Sequence, residues 1–193
     1  MNAHGHFEEP SNPVHWGEIA PCEHILQIYT VKSVFLDALE GFIAGGLRNN
    51  EGVLVIATQE HLAPLDRRLS RQALDLGAAR AEDRYIDLDA AQTLDTFVGD
   101  GLPDEERFQE TIGALLERAG RGGRRIRVFG EMAALMWTSG RTQASMRVER
   151  LWNQVCHSKK LSLFCAYPRA GFTHDAEHSM RQICGAHSRV IRG

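Results

Sequence analysis

No stretch of apolar residues in this chain runs longer than six, against the roughly 18 that a membrane-spanning helix needs. The segment from Met1 to Pro21 holds acids, histidines and prolines and lacks the basic start and apolar centre of a secretory leader. The expectation is a cytoplasmic protein with no membrane contact. Lysine is scarce: Lys32, Lys159 and Lys160 are the whole supply, so arginine carries nearly all of the positive charge. With a net charge of −3 and a pI near 6.3, nothing favours direct binding of nucleic acid. Cys22, Cys156, Cys165 and Cys184 have no C-x-x-C spacing and read as reduced, mostly buried thiols.

The most informative absence is a phosphate loop. Residues 24–58 read as strand, short turn, helix, strand, and the turn contains Lys32-Ser33, the last two residues of G-x-x-x-x-G-K-[ST]. The two glycines of that motif would fall at positions 26 and 31, which hold Leu26 and Val31. Without them the backbone cannot wrap its N–H groups around a phosphate. The unit is built like a nucleotide-binding one and lacks its cradle, so neither hydrolysis nor any cofactor is expected.

What is present suits one α/β domain. A chain of 193 residues, 43% apolar and 24% charged, can bury about 70% of its unfolded surface. Residues 1–21 read as a flexible tail, with Trp16 and Ile19 as its anchors, and residues 22–193 as a single domain. Phe35, Leu36, Leu39, Phe42, Ile43 and Leu47 recur at helical spacing. Val53 to Ala57 is an unbroken apolar run, as in a strand covered on both faces. The same reasoning predicts helices over 61–81, 90–98, 104–119, 132–138, 142–157 and 175–186. Strands are predicted over 84–88, 126–129 and 161–166, with an edge strand at 188–191. This alternation implies a three-layer α/β/α architecture around a mostly parallel sheet.

Such sheets bind ligands beyond the carboxyl ends of their strands. Those ends carry Tyr29, then Glu60 and His61, then Asp87 and Asp89, then Glu131, then Tyr167, with Cys165 in the last long strand. Tyr29, Glu60, His61, Glu131, Cys165 and Tyr167 are the candidate ligand-binding set, and each also fits a helix cap, a solvated loop residue or a core phenol. Glu60, Glu131 and Tyr167 are expected to line one cleft. His24, on the strand face shared with Leu26 and Ile28, reads as a core histidine. It and His187 are secondary candidates, His187 sharing a site with Cys165 only if the fold brings them together. Glu131 after Arg125-Ile-Arg-Val-Phe-Gly130 is a displaced Walker B acid. His174-Asp-Ala-Glu-His178 matches H-x-x-E-H, but a third zinc ligand would have to come from fifteen residues. No metal ligand set and no catalytic residue are assigned.

Six segments taken together resemble a known family: His24-Ile-Leu-Gln-Ile-Tyr29, Phe42-Ile-Ala-Gly-Gly-Leu47, Val53-Leu-Val-Ile-Ala-Thr58 with Glu60-His61, Phe129-Gly-Glu131, Cys165-Ala-Tyr-Pro168 and His187-Ser-Arg-Val-Ile191. They are similar to the MEDS family, a sensory domain of methanogens and methylotrophs named with the regulator of dichloromethane dehalogenation. The resemblance covers about residues 23–191. It implies a RecA/KaiC-like fold without a functional P-loop, and sensing of small hydrocarbon derivatives for an attached histidine kinase or DNA-binding domain. With no room here for either output, the expectation is a non-enzymatic module that binds a small molecule and acts on a separate protein partner. That partner would be a histidine kinase or a transcription regulator. A homodimer is a further expectation; Met136, Trp137 and Trp152 could face such an interface, but core burial fits each of them better. The rival readings are a ligand-free adaptor for a kinase or sigma-factor regulator, and a residual nucleotide-binding protein.

Overall fold

The computed structural model describes residues 15–99, 101–172 and 176–192. Six strands form one sheet: β1 (His24–Tyr29), β2 (Gly52–Ala57), β3 (Tyr85–Asp89), β4 (Ile126–Gly130), β5 (Ser162–Pro168) and β6 (Arg189–Arg192). Their order is β3-β2-β4-β5-β1-β6, and every pairing is parallel. All six residues of β2 are buried, as its apolar run requires of a strand covered on both faces.

Helices cover both faces. On one lie α1 (Lys32–Arg48), α2 (Gln59–Leu69) and α3 (Leu76–Ala81), packed on Ile25, Val53, Val55, Phe129 and Phe164. On the other lie α4 (Ala90–Asp95), α5 (Glu105–Ala119), α6 (Met132–Thr138), α7 (Thr142–Lys159) and α8 (Ala176–Gly185), against Leu26, Leu54, Val128, Leu163 and Cys165. Within each strand the two apolar sets take alternate positions, which is the period-2 alternation of a pleated strand. The three-layer α/β/α architecture is as the sequence implied.

One expectation needs correction. The helix predicted over 61–81 is two helices. Asp75 caps α3, its carboxylate accepting from the Ala78 N–H at 2.9 Å, and a capping residue starts a helix instead of continuing one. Met136, Trp137 and Trp152 are buried in the core (0%, 5% and 0% exposed), the fate the sequence favours over an interface.

Of the segment expected to be a tail, residues 1–14 lie outside the described residues. Its last part is packed. Trp16 meets Phe42 edge-on at 5.7 Å and Phe164 at 5.5 Å, and Ile19 is buried. The approach is possible because α1 presents glycines there. A Cβ at Gly41 would lie 2.4 Å from the Trp16 ring, and one at Gly45 would lie 2.5 Å from the Trp16 carbonyl oxygen. Arg127 of β4, 2% exposed, locks the join. Its guanidinium pairs with buried Glu51, donates to the Trp16 carbonyl and to the Phe42 carbonyl, and lies 5.5 Å over the Phe42 ring.

Candidate functional site

The carboxyl ends of β1, β2 and β4 are occupied by the protein's own side chains. Only Thr30 and Val31 separate β1 from α1. Lys32 leaves this turn to pair with Glu60 at 2.5 Å, and that ammonium holds the exposed Glu60 carboxyl below the usual range. Tyr29 stacks on Phe35 with ring centres 4.6 Å apart, and Phe35 meets His61 edge-on at 4.9 Å. Burial, then the charges of Glu131 and Glu60, push the Tyr29 phenol up to about 12, so it stays neutral. Glu131 accepts from the Thr58 backbone N–H at 2.8 Å and its hydroxyl at 3.2 Å, and lies 2.7 Å from His61 Nδ1. The acid of the displaced Walker B strand thus ties the end of β2 to the start of α2. Asp89 caps α4 and Asp87 pairs with Arg80.

Tyr29, Glu60, His61 and Glu131 therefore gather as expected. Tyr167 and Cys165 do not join them. Tyr167 stands next to last in β5, at the same end of the sheet, yet strand alternation turns it and Cys165 to the opposite face, among α6 and α7. The single cleft expected of Glu60, Glu131 and Tyr167 is thereby corrected: the candidate residues form two groups on the two faces.

The second group is built around Glu149 of α7, a residue the sequence reading missed. It is wholly buried, and it accepts a hydrogen bond from the Tyr167 hydroxyl. Glu149 Oε2 lies 3.5 Å from His24 Nε2, 3.6 Å from His187 Nε2 and 3.9 Å from Cys165 Sγ, and His24 Nε2 lies 3.3 Å from that sulfur. The fold does bring His187 and Cys165 together, with His24 beside them, its ring 4.0 Å from that of His187. Burial lowers both histidines to about 4, the neighbouring His187 adding to the effect on His24. At neutral pH these contacts are not ion pairs. Burial also raises the Glu149 carboxyl, the Cys165 thiol and the Tyr167 phenol. The signal for Glu149 was its helical register: it falls four after Ser145 and three before Trp152, on the buried stripe of α7. His174 of the H-x-x-E-H segment lies outside the described residues.

Beside Tyr167 the surface opens into a cleft of about 460 Å³ between the end of α6 and the turn after β5. Its lining includes Trp137, Thr138, Thr142, Pro168, Gly171 and Phe172. Trp137 packs on Phe172 at 5.5 Å and on Tyr167 at 6.3 Å, and its indole N–H donates to the Gly171 carbonyl at 3.2 Å. Among the described residues no helix is long and apolar enough to cross a membrane.

Comparison with known proteins agrees with this architecture. Among solved structures, the flagellar accessory protein FlaH from Methanocaldococcus jannaschii superposes with a TM-score of 0.62 over 90% of this chain and 72% of its own, at 14% identity. The shared fold is RecA/KaiC-like. No curated protein matches the chain. Residues 23–188 match the family described as the methanogen/methylotroph, DcmR sensory domain, and the chain belongs to that family, MEDS.

Proposed function

We propose that this chain is a non-enzymatic sensory module that binds a small organic molecule and passes its state to a separate regulatory protein. Membership of a sensory family supports the general role. The observation that carries the ligand reading is the contrast between two places at the carboxyl end of the sheet. Where a RecA-like protein would cradle phosphates, β1 passes to α1 through two non-glycine residues, and Lys32 is spent on Glu60. Tyr29, Phe35, His61 and Glu131 fill the space behind them. Beyond β5, by contrast, an aromatic-walled cleft of about 460 Å³ stands open, at the lower end of the size range of small-molecule sites.

Tyr167 gives the cleft a route inward, because its ring touches both Trp137 and Phe172 while its hydroxyl holds Glu149. A ligand that favours one Trp137–Phe172 arrangement over another would shift the protein between two states, and only such differential affinity can signal. A thermal-shift panel of short-chain alcohols, aldehydes and halogenated methanes tests this. At a hundredfold excess over Kd the gain is about 2.7 kcal/mol, or roughly 5–10 °C for a domain of this size. Stabilisation by such compounds, but not by Mg-ATP, supports the reading. A response to Mg-ATP alone, or to none of them, refutes it.

A further inference from the structure

We infer that His24, Glu149, Cys165 and His187 form a buried mononuclear zinc site joining β1, β5, α7 and the turn between α8 and β6. One ligand-type atom from each of the four lies within 4.8 Å of every other. The separations of 3.3, 3.5, 3.6 and 3.9 Å are close to the edges of a tetrahedron, about 3.3–3.6 Å, drawn with ordinary Zn–N, Zn–O and Zn–S bond lengths.

The surrounding hydrogen bonds decide which atoms face the centre. Asn153 donates its side-chain N–H to the Ala186 carbonyl at 2.8 Å, which fixes the amide so that Oδ1 faces His24. His24 Nδ1, 2.9 Å away, must then be the donor, leaving Nε2 with a bare lone pair. His187 Nδ1 donates to the Ile183 carbonyl at 2.7 Å, so its Nε2 is bare too. That atom is buried and has no hydrogen-bond partner in the protein. Tyr167 takes the other oxygen of Glu149 and turns Oε2 towards the same point.

Two bare imidazole lone pairs and Glu149 Oε2 therefore converge on the Cys165 sulfur. Four such atoms aimed at one point in a dry interior form the donor set that a cation takes. Outer hydrogen bonds that fix the ring tautomer are what orient histidine metal ligands. A thiolate and a carboxylate would cancel the charge of Zn²⁺ while both imidazoles stay neutral. Metal binding displaces protons from such ligands, so uptake should weaken as pH falls. The thiolate–imidazole set suits zinc, and four protein ligands leave no open position, as in structural sites. The assignment is independent of the small-molecule reading, and its test contains no organic ligand, so either can fail alone.

The test is elemental analysis of the purified full chain, then replacement of the metal by Co²⁺. The expected content is about one zinc per chain, with visible d–d bands of tetrahedral intensity and a thiolate-to-cobalt charge-transfer band after replacement. Cys165→Ser should abolish the charge-transfer band, and Asn153→Ala should weaken Co²⁺ binding about 10–100-fold through the outer shell. If Cys165→Ser does not fold, the wild-type spectrum and Asn153→Ala decide. A folded wild-type chain that takes up neither Zn²⁺ nor Co²⁺ would overturn the site, leaving a cluster that shares protons instead. So would a charge-transfer band that survives Cys165→Ser.

Discussion

Arg127→Met is the substitution whose cost the structure defines best. Methionine keeps most of the side-chain length and removes the charge and all the donors. Glu51, 6% exposed, would then face only the Arg125 guanidinium at 3.9 Å. The Trp16 carbonyl, which accepts from Arg127, would lose that donor. Removing one partner of a buried ion pair typically costs about 3–5 kcal/mol, a large part of the 5–15 kcal/mol that holds a domain together. Because Arg127 also pins Trp16 between Phe42 and Phe164, the tryptophan should become more exposed as well. Urea unfolding followed by circular dichroism gives the loss, and the fluorescence maximum reports Trp16. Adding Glu51→Leu to Arg127→Met should recover part of the loss, since apolar pairs often replace buried ion pairs at little cost. A loss below about 1 kcal/mol for the single variant, or no recovery in the double, would refute the reasoning.

Three further outcomes follow from the same packing. Gly45→Ala and Gly113→Ala are the same change within helices and should have opposite signs. The first gains about 1 kcal/mol of helix propensity but drives a Cβ to 2.5 Å from the Trp16 carbonyl, and such overpacking costs roughly 1–3 kcal/mol. The second meets open space and should stabilise by about 0.5–1 kcal/mol in the same urea assay. Glu131→Ala strands the Thr58 N–H and should lower stability by about 1–3 kcal/mol; an unchanged midpoint would show that Glu131 is not the tie between β2 and α2. Calorimetry should find no specific Mg-ATP binding, and binding abolished by Lys32→Ala would contradict the reading of the β1–α1 turn.

Much of this fold was legible because buried parallel strands are plain apolar runs and helix faces repeat at fixed spacing. Met132–Thr138 was read with both of its bounds, and His24 was placed on the Leu26 face by alternation alone. The break at Ser70 was missed because no glycine or proline marks it; Asp75, the cap that starts α3, was the available sign. The site was harder. Residues at strand ends share an edge of the sheet, but which face each turns to depends on where its strand stops. Tyr167 stands one residue before the end of β5 and so points away from Glu131. Glu149 looked like any charged helix residue, and only its position among Ser145, Val148 and Trp152 places it inside. The convergence of His24 and His187 on it depends on β1 pairing with both β5 and β6, a long-range fact that local pattern does not carry.

As proposed, the RecA-like scaffold takes a small organic molecule beyond β5 and no nucleotide beyond β1. The most direct measurement is a two-dimensional NMR titration of the full chain with the most stabilising compound of the panel, and separately with Mg-ATP. Shifts are expected at the Trp137 indole N–H, Gly171 and Phe172 with the organic compound, and none around Tyr29–Ser33 with Mg-ATP. Shifts at the β1–α1 turn with Mg-ATP, or an organic ligand that leaves the Trp137 indole unmoved, would contradict it.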